Sequence, residues 1–222
     1  MGIPAPRNLK IGNIIDKTLG VVELSLPTVL IYVAALTLIN SAIKYFTLEM
    51  TAPMQLLVIG LLNFVIGVIA AYLLLEALVR KAGLRSREGE AVFFSYLALS
   101  IVYSLGVFVG LLVIIFPGLF VMARWSIAQP MIVARGEGVM ATLGESWERT
   151  KGNEFQILVA AFALIIPPIA ILIAGSAFLD AASLVGIGIS QLATSALSVA
   201  LTAMGVALYG LIVGSGDAAP SN

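Results

Sequence analysis

The side chains that carry most enzymatic chemistry are missing from this chain or scattered along it. It has no His and no Cys, which removes the commonest general base, the commonest metal ligand and any thiolate nucleophile or disulfide. Its twelve acidic residues run from Asp16 to Asp217 over both faces of the expected membrane, not in the cluster that a hydrolytic metal centre needs. No Gly-rich phosphate loop or nucleophile elbow occurs. The residues therefore predict no catalytic site, no cofactor, no metal and no enzymatic activity.

What remains is binding chemistry. The candidate lipid or substrate contacts are Arg124, Trp125, Gln129, Trp147, Arg149 and Lys151. A guanidinium inside an apolar run costs about 2.5 to 3.5 kcal/mol on insertion scales, so Arg124 needs a partner. It can bond to a loop or to carbonyls freed near Pro130, and it lies near enough to the outer end of its span to snorkel there. Alternatively it contacts an anionic headgroup or substrate. Asn63 reads as a bond to a neighbouring helix and Glu76 as a headgroup contact near Arg80 and Lys81, against a proton or cation site at Glu76. Gln191, Thr194, Ser195, Ser198 and Thr202 recur at helical spacing, as a packing face or a pore lining.

These side chains sit in a chain of 222 residues that is 60% hydrophobic and 11% charged, with a mean hydropathy of +1.09. A soluble domain has about a quarter of its residues charged. The composition predicts a membrane protein, and the apolar runs lack the period-two alternation of an outer-membrane barrel. The fold class expected is all-α, a polytopic bundle of about six transmembrane helices plus two interfacial amphipathic helices, in a single membrane domain over 1–222.

The first interfacial helix is expected over 7–24, where Ile11, Ile14, Ile15, Leu19 and Val22 share a face. These first residues are too polar for a cleaved signal, so the span that follows is expected to stay as an anchor. Spans follow at 26–44, 54–79, 91–116 and 119–134. The 33 uncharged residues from Ala91 to Ala123 would make a single helix of roughly 50 Å, too long for a core of about 30 Å, so the chain must turn at Pro117-Gly118. In the third span Gly106 and Gly110 form a small-xxx-small pattern that lets helix backbones approach. A second interfacial helix is expected over 137–152, with Val139, Met140, Leu143 and Trp147 on its apolar face and Trp147 at headgroup level. The last spans are 155–179, kinked at Pro167-Pro168, and 187–213.

Basic residues gather in alternate segments: Arg7, Lys10 and Lys17, then Arg80, Lys81, Arg85 and Arg87, then Arg135, Arg149 and Lys151, with Lys44 alone opposite. By the positive-inside rule both termini are cytoplasmic. An amphipathic helix leading into a span occurs twice, once from Leu9 and again from Val139, which suggests a parallel duplication.

Phe116-Pro-Gly-Leu-Phe, Arg124-Trp, Gln129-Pro130, Glu137-Gly138 and Ser146-Trp-Glu-Arg-Thr-Lys-Gly152 together form a pattern over Ile114 to Phe155. It resembles the YciC-like (UPF0259) proteins and the membrane domain attached to some glycerophosphodiester phosphodiesterases. The resemblance implies a multi-pass protein of the bacterial cytoplasmic membrane. It does not imply phosphodiesterase chemistry, which needs clustered carboxylates and a His pair that this chain lacks.

The function expected is thus a non-catalytic scaffold or lipid-interacting envelope protein. The alternative is a small transporter or channel with a site near Arg124 and the polar face of the last span. The partners expected are membrane lipids, further copies of the chain or other membrane proteins. Nucleic acid is not expected, since no basic run sits beside stacking aromatics.

Overall fold

The computed structural model of the chain describes residues 9–85, 92–113 and 115–214. Arg7, Arg87, Glu88, Glu90, Ala91, Ile114 and Asp217 lie outside the described residues. Among those described, the regular structure consists of nine helices: α1 (Ile11–Leu24), α2 (Leu26–Phe46), α3 (Pro53–Lys81), α4 (Phe93–Val113), α5 (Ile115–Arg124), α6 (Ala128–Arg135), α7 (Val139–Arg149), α8 (Glu154–Phe178) and α9 (Leu184–Ile212). Five of these are long and apolar enough to cross a membrane, namely α2, α3, α4, α8 and α9, which fits an integral membrane protein. Uncharged residues with no water partner favour helices there because a helix satisfies its own backbone polar groups.

The span expected over 119–134 is not one helix. α5 ends at Arg124, residues 125–127 form a turn, and α6 begins at Ala128. Pro130 explains the break, since it has no N–H to give the Ser126 carbonyl four residues back and its ring crowds that carbonyl. Pro130 then occupies the first turn of α6, where the missing donor costs nothing. The reversal before α5 also differs in detail from a Pro117-Gly118 turn. Both residues lie inside the first turns of α5, so the chain doubles back just ahead of them.

The small-xxx-small pair serves that hairpin. A methyl added to Gly110 would fall 2.9 Å from the Cα of Gly118, and one on Gly118 would fall 2.5 Å from the Leu111 side chain and 2.8 Å from its backbone nitrogen. One turn back, the ring of Trp125 lies directly over Gly106. α4 and α5 therefore pack antiparallel at a separation only glycine permits.

The helices divide into two compact units. The first holds Met1–Ser25, Leu75–Phe162 and Ala203–Asn222. At its centre the end of α9, from Ala203 to Tyr209, is buried on every side, as expected of a helix apolar all round. A methyl on Gly205 would lie 3.2 Å from the Ser126 carbonyl oxygen and 3.7 Å from Pro130, so α9 lies close against the α5–α6 break. α1 buries Ile14, Thr18 and Val21 and leaves Leu19 exposed. Just ahead of it the Leu9 amide donates to Asn153 Oδ1 at 2.8 Å, between α7 and α8.

The second unit holds Leu26–Leu74 and Ala163–Thr202. Here the polar residues of α9 pair between helices or bond back along their own. Tyr32 Oη and Ser198 Oγ lie 2.9 Å apart, and Thr37 Oγ1 donates to Ser195 Oγ at 3.5 Å. Thr194 and Thr202 each donate to the carbonyl four residues earlier. Pro167 and Pro168 lie within α8, which continues through them to Phe178.

Candidate functional site

The structure brings together Arg124, Trp125 and Trp147, and does so through the ends of three helices. Because α5 stops at Arg124, the carbonyl of that residue has no helical partner: the Ala128 amide, which would have reached it, bonds Trp125 O at 3.0 Å instead. Ser146 Oγ donates to the Arg124 carbonyl at 2.8 Å and Thr150 Oγ1 lies 3.0 Å from it. The Thr150 hydroxyl has one proton, which it shares between this oxygen and Ser146 O at 2.8 Å.

The side chain of Arg124 returns the bond. Its Nη1 donates to the Trp147 carbonyl at 2.8 Å, one of the last-turn carbonyls of α7 that the helix cannot itself satisfy. Its Nε sits 3.2 Å from Glu154 Oε1, an ion-pair distance at an angle too oblique for a hydrogen bond. Glu154 opens α8, where the helix dipole favours a carboxylate. The two orphaned helix ends, of α5 and α7, thus satisfy each other.

Aromatic rings close over the cation. The guanidinium carbon of Arg124 lies 5.0 Å from the Trp147 ring centroid and 5.2 Å from that of Phe120. Phe120 meets Trp147 edge to face at 5.7 Å, Trp125 meets Trp147 at 6.3 Å, and Tyr103 lies 6.0 Å from Trp125. Arg124 is only 6% exposed. Its guanidinium turns toward α7 and α8 rather than snorkelling to the outer end of a span.

The other candidates lie apart from this group. Arg149 Nε pairs with Glu145 at 2.5 Å, and the same carboxylate oxygen accepts from Arg135 Nη1 at 2.9 Å. Arg135 also lies 3.6 Å from Glu137, and 6.0 Å from the centroid of the Tyr209 ring. Lys151 is exposed, and Gln129 is half-buried in the first turn of α6. Glu76 pairs with Arg85 at 2.6 Å, and Asn63 is half-buried on α3. Among the described residues no group of three or more acidic residues is placed to hold a metal.

The face that α7 buries is Thr142, Leu143, Ser146 and Thr150, while Met140 is 71% exposed and Trp147 is half-buried among the rings. Ser146 and Thr150, which belong to the Ser146–Gly152 pattern but are not among the expected contacts, and Glu154 hold the site together. The signal for the first two was present. Two hydroxyls four residues apart fall on one helix face, and the broken helix ahead of them needed donors.

No model of a known protein family matches the chain, and no curated protein or solved structure matches it either.

Proposed function

We propose that the chain is a multi-pass protein of the bacterial cytoplasmic membrane that works without catalysis, as a scaffold or lipid-contacting envelope protein, with both termini in the cytoplasm. Five apolar helices support the membrane reading. α5 and α6 together supply a sixth crossing. Both pack against α4, and end to end their residues reach roughly 30 Å at helical rise, about the thickness of the hydrocarbon core. The likeness of Ile114 to Phe155 to YciC-like proteins favours the bacterial compartment.

The observation that carries the non-catalytic reading is how Arg124 is engaged. Its charge is met by Glu154 and its Nη1 by the Trp147 carbonyl, and two aromatic rings lie against its guanidinium. That arrangement joins α5, α7 and α8 and weighs against a substrate site at Arg124. What the fold leaves outward is apolar surface beside exposed cations. Lys17 accompanies Leu19 and Leu24 on α1, and Lys151 follows α7, on which Met140 is exposed. Such pairings suit the headgroup region of an anionic leaflet.

The chain has two Trp, Trp125 and Trp147, and their emission reports on nearby lipid. In reconstituted protein, brominated phosphatidylglycerol is expected to quench more strongly than brominated phosphatidylcholine at equal mole fraction. Lys17→Glu combined with Lys151→Glu is expected to abolish the difference. Equal quenching by the two lipids in the unmodified protein would count decisively against selective lipid contact.

A further inference from the structure

Within the second unit, α2 and α3 do not close on each other along their whole length. A groove of about 380 Å³ lies between them, lined on α2 by residues including Thr28, Tyr32, Ala35 and Ile39 and on α3 by residues including Ile66, Ala70 and Leu73. We propose that this groove is a binding site for one acyl chain of a bilayer phospholipid, in the leaflet that meets the start of α2. The inference rests on the reading of α2 and α3 as membrane spans and adds to it a fixed lipid position.

Chemical complementarity selects the occupant. The groove wall contains no charged side chain. Its most prominent polar group, the Tyr32 hydroxyl, is bonded to Ser198 at 2.9 Å, so Tyr32 contributes chiefly its ring. The complement of such a wall is an uncharged hydrocarbon.

Shape narrows the choice further. From Thr28 to Ile39 the lining runs along α2 for about 17 Å at helical rise, close to the roughly 15 Å of one leaflet. Over that length a helix with its side chains, about 10–12 Å across, fills roughly 1,300 Å³ or more, several times the about 380 Å³ of the groove. A single extended chain fits where a helix of a second copy does not. Thr28 is two residues from the start of α2, so the groove opens at the level where a phospholipid's ester groups leave the headgroup region.

Burial of a methylene stabilises strongly only where it leaves water. A chain already in the bilayer gains packing and shape fit instead, so the site is expected to show as preferred occupancy rather than as high affinity from water.

The test uses the full chain reconstituted with phosphatidylcholine carrying a photoactivatable group midway along one acyl chain, with labelled residues mapped by peptide mass spectrometry. Label is expected to concentrate on Tyr32, Ala35, Ile66 and Leu73. Ala35→Phe or Ala70→Phe, one from each wall, is expected to cut that labelling several-fold, while Leu38→Phe on the 71% exposed face of α2 leaves it unchanged. Label spread evenly over the groove and exposed positions such as Leu38 and Leu61 would overturn the site while leaving the membrane reading intact. A groove protected from label while Leu38 is labelled would also overturn it, in favour of a protein occupant. Absence of label from every span would overturn the membrane reading itself.

Discussion

The Ser146 hydroxyl donates to the main-chain carbonyl of Arg124 at 2.8 Å, across a gap of 22 residues in sequence. This bond, with its neighbour from Thr150, does for α5 what the next turn of helix would have done. A buried carbonyl left without a donor costs about 1–3 kcal/mol. Since Thr150 lies 3.0 Å from the same oxygen, Ser146→Ala alone is expected to lower stability by only about 1 kcal/mol. Ser146→Ala with Thr150→Val removes both donors and is expected to cost more than the sum of the single changes, because each hydroxyl covers for the other. Equilibrium unfolding in detergent of the two single variants and the double variant checks this. Strict additivity would show that the two hydroxyls do not share the carbonyl.

Arg124→Lys is expected to behave as a severe change. A lysine keeps the charge opposite Glu154 but loses the planar group that lies against Phe120 and Trp147 and the fixed fork that reaches both Glu154 and the Trp147 carbonyl. Removing one member of a buried pair costs about 3–5 kcal/mol because the other is stranded, although Glu154, about a fifth exposed, retains some water and brings the figure for Arg124→Gln toward the lower end. Arg124→Gln with Glu154→Gln is expected to recover part of the loss. A double-mutant cycle on thermal stability measures it, and a coupling indistinguishable from zero would mean the ion pair contributes nothing beyond packing.

What the sequence showed of this fold was its solvent and its periodicity. Uncharged runs marked α2, α3, α4, α8 and α9 to within a few residues, because helix length in a bilayer follows from thickness. The same reasoning missed the break after Arg124. Pro130 was visible, but whether the helix ahead of a proline kinks or ends depends on which donors meet the carbonyls left at the break, and those for the Arg124 carbonyl, Ser146 and Thr150, are distant in sequence. Arg124 stood out as a charge in an apolar run, yet its partner Glu154 looked like one of many scattered acids. Trp147 on an amphipathic helix suggested a headgroup anchor. Its role in the Arg124 cluster arises from tertiary contacts with Phe120 and Trp125, which no local pattern encodes.

Glycines separate into those the fold needs and those it does not. Gly118→Ala would place a methyl 2.5 Å from Leu111 and 2.8 Å from its backbone nitrogen, an overlap that backbone cannot yield to cheaply. It is expected to cost about 1–3 kcal/mol. Gly60→Ala on α3 meets nothing within 4 Å and is expected to be neutral or to stabilise by up to about 1 kcal/mol through helix propensity. Unfolding midpoints of the two variants give the comparison. If Gly118→Ala proved as well tolerated as Gly60→Ala, the close antiparallel packing of α4 on α5 would have to be abandoned.

The proposed orientation makes a prediction that needs no structural perturbation. The chain contains no Cys, so a single introduced thiol is the only one present. Ala82 directly follows the last residue of α3, beside the exposed Arg80 and Lys81, whereas Thr51 lies in the connection between α2 and α3 at the other end of that helix. With cationic loops retained inside, Ala82→Cys is expected to resist an impermeant maleimide in intact cells and to react once the membrane is permeabilised. Thr51→Cys is expected to react in both conditions. The reverse pattern would invert the orientation of every span and place the cations around α7 on the outer face, away from the anionic leaflet that the lipid-contact reading requires.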